Sequence, residues 1–196
     1  MMKLARNPYV VGFLIFIITA GIFFVLNIFF RDVNYYRNTM IVAAFVAPLI
    51  SGVGAFLSVY YQGRTKRKVS FRDAYGRAFV PMFVGGILTT ATMFAYINYI
   101  DKDTKQLLNY QFIESFKQSL EDEYQKAKKI VIPNSEEDKE LEQKYAEAKV
   151  RIAAKEAKNE DVFTAKNFGY VFAGYCAFYL LLSLFFGSFF RTRNPS

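Results

Sequence analysis

Histidine and tryptophan are absent from the 196 residues, and cysteine occurs once, at position 176. Without histidine, the chain lacks the commonest general base, the commonest transition-metal ligand and the usual switch near neutral pH. A single cysteine excludes an intrachain disulfide and a thiolate metal cluster, and Cys176 lies in an apolar run as a small packing residue. The composition therefore predicts no cofactor, no bound metal and no enzymatic activity.

Charge is missing from four long stretches, which cover residues 9–30, 40–61, 79–100 and 168–190. Each is about as long as the ~20 residues that a helix needs to cross ~30 Å of hydrocarbon. The first stretch is longer than the apolar part of a signal peptide, and we expect it to remain uncleaved. The pattern predicts an all-α membrane protein with three transmembrane helices in residues 1–100. A fourth helix and a short tail follow in residues 167–196.

The formal net charge of +8 is unevenly distributed along the chain. Residues 100–167 hold 13 Lys/Arg and 15 Asp/Glu, whereas the rest of the chain holds 12 and 2. An excess of cations beside membrane spans sets topology more often than it binds nucleic acid. Ten cations flank the predicted cytoplasmic ends of the spans and two lie between spans one and two. We therefore expect a bacterial inner membrane protein with both termini cytoplasmic and residues 101–166 periplasmic, and no nucleic-acid partner.

The loop between spans two and three is the most basic segment. Its cations are Arg64, Lys66, Arg67, Lys68, Arg72 and Arg77. We expect them to set the topology and to contact anionic lipid headgroups. An alternative is that they bind the phosphate of a lipid substrate, with Asp73 or Asp101 as an acid.

Small residues recur at a spacing of four in the spans, which places them on one helix face. Such faces let helix backbones approach closely in lipid. The predicted helix-packing residues are Ala47, Ser51 and Ala55 in span two, Gly85 in span three, and Gly169, Ala173 and Ala177 in span four. These residues could contact another helix of the chain or a helix of a partner protein. An alternative is that they line a groove that binds a substrate. Pro48 is expected to kink span two.

Residues 101–166 form a charged insert that is predicted to be a helical hairpin. An apolar stripe on its first helix comprises Phe112, Phe116, Leu120 and Tyr124. Pro133 ends this helix, Ser135 is a candidate N-cap for the next, and a second stripe follows from Leu141 to Ile152. Either the two stripes bury each other, or part of the first, Phe112 and Phe116 especially, binds another protein or the membrane surface.

Two short motifs carry a resemblance to a known family. The first, Lys68-Val-Ser-Phe-Arg-Asp-Ala-Tyr-Gly-Arg-Ala-Phe79, precedes span three, and the second, Phe94-Ala-Tyr-Ile-Asn-Tyr-Ile-Asp101, ends it. With four spans and a charged insert, the chain resembles the Bacteroidota family of domain of unknown function 4199 along nearly its whole length. The resemblance implies an inner-membrane protein without assigned catalytic residues, whose genes often lie beside those of lipid-linked glycosyltransferases.

Two classes of function fit these features. The first is a non-enzymatic accessory or assembly subunit that contacts membrane lipid and binds a larger membrane protein, with its periplasmic hairpin against an extracytoplasmic partner. The second is a small transporter or lipid flippase, which would belong to a lipid-linked glycan pathway. Transport pathways are usually marked by charged residues inside spans. Since the spans carry none, the sequence favours the accessory subunit.

Overall fold

A computed structural model describes residues 7–65, 68–158 and 161–192, except for the side chain of residue 65. These residues are helical apart from short connections, and four helices are long and apolar enough to cross a membrane. The four candidate spans are Pro8–Phe29, Tyr35–Arg64, Phe71–Ile100 and Ala165–Phe190. The all-α fold with four such helices is as predicted, and the chain is a multi-pass membrane protein.

The first span is helix α1 (Pro8–Phe29), which Asn7 caps by accepting a hydrogen bond from the Tyr9 N–H. The second span has three parts: α2 (Tyr35–Ile41), a π-helical segment (Val42–Val46) and α3 (Ala47–Thr65). The third span joins α4 (Phe71–Ala95) to a second π-helical segment (Tyr96–Ile100). The fourth is α7 (Ala165–Phe190), capped by Thr164.

Pro48 lies just after the first π-helical segment, and the two features are linked. Proline has no N–H to donate to the carbonyl four residues earlier, and its ring crowds that turn. The widened turn at Val42–Val46 accommodates this interruption within a continuous helix. One carbonyl of this segment, that of Ala43, accepts a hydrogen bond of 2.6 Å from the Tyr175 hydroxyl on α7.

Helix α4 begins at Phe71, earlier than the predicted span at residue 79. Ser70 caps it, since its hydroxyl accepts a hydrogen bond from the Asp73 N–H. Pro81 therefore lies inside the helix rather than near its start. The extra turns also bring Ala74 and Ala78 into the core, where both are fully buried.

Helix α4 is the central element of the span bundle, which comprises residues 7–101 and 164–192 of the described chain. It packs against α1, α3 and α7. Glycines make the closest approaches, because a Cβ at Gly85 would lie 2.6 Å from Ile15 Cγ2 and one at Gly12 would lie 2.9 Å from the Pro81 carbonyl oxygen. Close backbone packing supplies the dispersion contacts that associate helices in lipid.

Residues 102–163 form a separate unit, the helix pair, made of α5 (Lys102–Lys128) and α6 (Glu136–Ala157). The two helices run antiparallel. Tyr124 stacks on Tyr145 with ring centroids 4.0 Å apart, and the Lys117 ammonium lies 2.9 Å from the Glu156 carboxylate. Beyond α6, Asp161 lies 2.5 Å from the Lys105 ammonium.

Candidate functional site

A cluster of polar side chains joins three segments at one end of the span bundle. Asn27 comes from the last turn of α1 and Tyr35 from the start of α2. Tyr96 begins the second π-helical segment, and Asp101 directly follows it. Arg31, from the loop after α1, completes what we term the polar cluster.

The Asn27 amide is at the centre of the polar cluster. Its nitrogen donates to the Tyr96 hydroxyl at 2.7 Å and lies 3.4 Å from Asp101 Oδ2, and its oxygen accepts from the Tyr35 hydroxyl at 3.0 Å. The Tyr96 hydroxyl donates to Asp101 Oδ2 at 3.1 Å, and Arg31 Nη1 lies 3.4 Å from the same oxygen. Both Asn27 and Tyr35 are buried.

The π-helical segment explains why Tyr96 and Asp101 meet. In an α-helix, residues five positions apart face different directions, because each residue turns the chain by about 100°. Here the Asp101 N–H donates to the Tyr96 carbonyl at 2.9 Å, an i→i−5 bond that widens the turn. The widened turn places the carboxylate beside the tyrosine hydroxyl of its own helix. The edge of the Tyr96 ring also contacts Phe24, with centroids 5.0 Å apart.

The hydrogen bonds of the polar cluster suit a structural role, in which they hold three segments of the chain together. A buried amide or carboxylate is costly unless its hydrogen-bonding groups are paired. Here the Asn27 amide nitrogen, the Asn27 amide oxygen and Asp101 Oδ2 each have a partner within the cluster. The single carboxylate is offset by one guanidinium. Among the residues described, no group of three His, Cys, Asp or Glu side chains is placed to hold a metal ion.

The predicted packing residues of spans two and three lie at helix contacts. Ala47, Ser51 and Ala55 are buried. Gly85 is buried against Ile15 of α1.

The predicted packing residues of span four lie on an exposed face of α7. Gly169, Ala173 and Ala177 are all exposed on α7. A Cβ built on Gly169 would meet nothing within 4 Å, and the same holds for the neighbouring Gly174. We term Gly169, Ala173 and Ala177 the α7 face. Within the described part of the chain no helix covers it, so its packing role stays a prediction.

The predicted apolar stripe on α5 is only partly buried. Phe112, Leu120 and Tyr124 are half-buried, whereas the Phe116 side chain is 53% exposed. The Phe112 and Phe116 rings contact each other with centroids 4.8 Å apart. The second stripe supplies Tyr145 to the contact between the helices, so the two stripes bury each other in part.

Four of the six cations of the basic loop lie in the described residues. Arg64 lies 5.1 Å from the ring centre of Tyr60, and Lys68 and Arg72 are exposed. Arg77 is half-buried, and Lys66 and Arg67 lie outside the described residues. The Val69 backbone pairs with Thr192 after α7: its N–H donates to the threonine hydroxyl and its carbonyl accepts from the threonine N–H, each at 3.0 Å.

Sequence reasoning missed the polar cluster as a unit, although two signals for it were present. The motif from Phe94 to Asp101 contains both Tyr96 and Asp101, and Asn27 is the one amide in an otherwise apolar first span. A polar residue within a span usually has a partner in the protein. The members lie too far apart in sequence for spacing alone to pair them.

The chain was compared with known protein families, curated proteins and solved structures. No curated protein and no solved structure matches the chain. The family described as "Protein of unknown function (DUF4199)" matches residues 10–192, a range that contains the polar cluster, the helix pair and all of the four spans except the first two residues of span one. Since this match covers nearly the whole sequence, the chain belongs to that family.

Proposed function

We propose that this protein is a non-enzymatic accessory subunit of a bacterial inner membrane, and that it binds a larger membrane protein through the α7 face. The observation that carries the proposal is the exposure of Gly169, Ala173 and Ala177 at a spacing of four on a membrane-spanning helix. A helix that faces only lipid has no need of small residues, whereas helix contacts are enriched in them.

The small residues of span two provide the comparison. Ala47, Ser51 and Ala55 recur at the same spacing of four and are buried in the bundle. Glycine alone does not mark a helix contact, since a Cβ added to Gly21, Gly63 or Gly76 would meet nothing within 4 Å. The α7 face has the spacing of the buried row in span two without a covering helix, which is the pattern expected of a contact completed by a second protein.

The helix pair is the second part of the proposal. In the proposed topology both termini are cytoplasmic and residues 101–166 are extracytoplasmic, which follows from the distribution of cations beside the spans. The exposed ring of Phe116 and the half-buried ring of Phe112 would then be available to an extracytoplasmic partner. Aromatic side chains are favoured anchors of protein interfaces.

The test is a substitution series on α7, read as recovery of a co-purifying membrane protein in a mild detergent. Ala173→Leu and Gly169→Leu should each leave the chain folded and reduce recovery of the partner by about tenfold or more, because a leucine there holds the helices apart. Gly21→Leu is the matched control, since Gly21 is an exposed glycine of α1 that also has nothing within 4 Å.

Two outcomes would count against the proposal. One is partner recovery that is equal for Ala173→Leu and Gly21→Leu. The other is a wild-type chain that purifies alone and moves lipid or solute across reconstituted vesicles, which would support a transporter instead.

A further inference from the structure

The turn between α5 and α6 departs from the usual chemistry of an exposed turn. It contains four consecutive apolar residues, Ile130-Val-Ile-Pro133. The side chain of Ile130 is 84% exposed and that of Ile132 is 74% exposed. Turns at the end of a water-soluble helix pair are normally polar, and an exposed run of apolar residues usually marks a binding surface. We term Ile130 and Ile132 the tip patch.

The backbone beneath the tip patch is held by several hydrogen bonds. The N–H groups of Ile130 and Val131 both donate to the Ala127 carbonyl, and the Ser135 N–H donates to the Ile132 carbonyl. Asn134 adopts a φ of 64°, in the left-handed region that asparagine tolerates better than most residues. Its N–H donates to Asp138 Oδ2 at 3.0 Å.

Ion pairs fix the two helix ends on either side of the turn. The Lys128 ammonium at the end of α5 lies 2.5 Å from Asp138 and 2.7 Å from Glu142, both on α6. The Ser135 hydroxyl caps α6 by accepting from the Asp138 N–H. The isoleucines are thus presented by an ordered turn, which lowers the entropy cost of binding.

The charges around the tip patch identify the kind of partner. Lys126 and Lys129 are exposed on the α5 side, and Glu136 and Glu137 are exposed on the α6 side. An anionic lipid surface would attract the first pair and repel the second, and the turn lacks the aromatic residues that favour the membrane interface. A protein pocket can complement both pairs at once.

We infer that the tip patch docks into an apolar pocket of a partner protein, with carboxylates on the side that meets Lys129 and cations on the side that meets Glu136. The inference rests on the second part of the proposed function, in which the helix pair contacts a partner. It is independent of the α7 face, which lies in the other unit of the chain.

The experiment places a photo-crosslinking residue at position 130 or 132 of the full-length chain in its native membrane. Position 150 is the matched control, because Val150 is an apolar residue of α6 that is 69% exposed. Adducts at 130 and 132, absent at 150, should map by peptide mass spectrometry to an apolar segment flanked by acidic and basic residues. Ile130→Ser should lower the adduct yield at 132 by roughly tenfold, as should Ile132→Ser for 130.

Equal adduct yields at positions 132 and 150, or no protein adduct at 132, would overturn the inference. Lipid is tested separately with Ile132→Cys in a Cys176→Ala background, labelled with a polarity-sensitive dye and reconstituted in neutral or phosphatidylglycerol vesicles. A blue shift in the anionic vesicles would assign the tip patch to a membrane surface. If the partner is retained by Ile130→Ser and Ile132→Ser but lost in Ala173→Leu, the tip patch is not a docking site. The proposed binding through the α7 face would still hold.

Discussion

At the scale of single residues, Asp101 is the side chain on which the polar cluster depends most. Its carboxylate oxygen Oδ2 accepts a hydrogen bond from the Tyr96 hydroxyl. The same oxygen lies 3.4 Å from both the Arg31 guanidinium and the Asn27 amide nitrogen. Its side chain is only 18% exposed, so loss of its charge weakens the hydrogen bonds that donors of three segments make to it. Hydrogen bonds to a charged group contribute more than those between neutral groups.

Asp101→Asn should therefore lower the free energy of unfolding by roughly 1–2 kcal/mol, seen as a lower melting temperature in detergent. The control is Asp103→Asn, an exposed acid in the first turn of α5. Arg31→Gln added to Asp101→Asn should cost less than the two separate effects together, because the partners interact directly. Strict additivity would show that the ion pair contributes nothing.

A second residue-scale prediction concerns the Tyr145 hydroxyl, which donates to the Glu121 carboxylate. This hydrogen bond, with one from Gln125, holds the pKa of Glu121 below its ordinary value of 4.5. A lowered carboxyl pKa stabilises the fold above the ordinary value, and that contribution is lost as the pH falls through the folded-state pKa. The Lys128 ammonium and the Asn134 N–H act on the pKa of Asp138 in the same direction.

Tyr145→Phe should accordingly be less stable than the wild type at pH 7, and the two should converge as the pH falls through the lowered pKa of Glu121. Chemical unfolding followed by far-ultraviolet circular dichroism at pH 7 and pH 3 measures this difference. Tyr110→Phe is the control, because Tyr110 is an exposed tyrosine of α5. A difference that is unchanged at pH 3 would mean that lost packing, rather than the hydrogen bond to the carboxylate, causes the effect.

Lys117 of the helix pair affects stability at high pH, whereas the carboxylates affect it at low pH. Hydrogen bonds to Glu114 and Glu156 raise the pKa of Lys117 to about 12. A raised lysine pKa gives stability that is complete below its ordinary value of 10.5 and is lost as the pH rises through the folded-state pKa. The helix pair should thus vary little in stability between about pH 5 and pH 10.

At the scale of elements, the two π-helical segments each widen one turn within a span that is otherwise α-helical. One follows from Pro48 and is linked to α7 through the Tyr175 hydroxyl, and the other brings Tyr96 beside Asp101. Each carries a tertiary hydrogen bond at the point where the helix widens. This is consistent with the frequent placement of π-helical turns at positions with a specific role.

Tyr175→Phe should destabilise the bundle by about 1–2 kcal/mol, because the Ala43 carbonyl loses its side-chain donor in a region without water. Thermal unfolding in detergent measures the change, and Tyr170→Phe on the exposed side of α7 is the matched control. Equal melting temperatures for the two variants would show that the Ala43 carbonyl does not need this hydrogen bond.

The sequence was informative about elements because apolar length, caps and periodicity are local properties. The four spans, the Ser135 cap and the helical insert all follow from short stretches of residues. The polar cluster did not follow, because Asn27 meets Tyr96 only after α1 and α4 have packed side by side. The π-helical turn at Tyr96 has no periodic signal either, since its apolar residues fit an α-helix equally well.

At the scale of the whole molecule, the distribution of cations leads to a topology that can be measured directly. In the proposed orientation residues 101–166 face the extracytoplasmic side and Arg72 faces the cytoplasm. Lys139→Cys in a Cys176→Ala background should react with a membrane-impermeant maleimide in intact cells, whereas Arg72→Cys should react only after lysis. The reverse pattern would overturn the orientation. Both positions are exposed, so reactivity reports the side of the membrane.

We propose that this chain works as part of a larger membrane assembly, and the composition of the complex in a mild detergent extract is the decisive measurement. Native mass spectrometry of the wild-type protein, extracted without crosslinking, should give a complex with one other membrane protein at fixed stoichiometry. The same measurement on Ala173→Leu should give the free chain. A wild-type chain that appears only as a monomer or as a homo-oligomer, in extracts where other membrane complexes remain intact, would contradict the account.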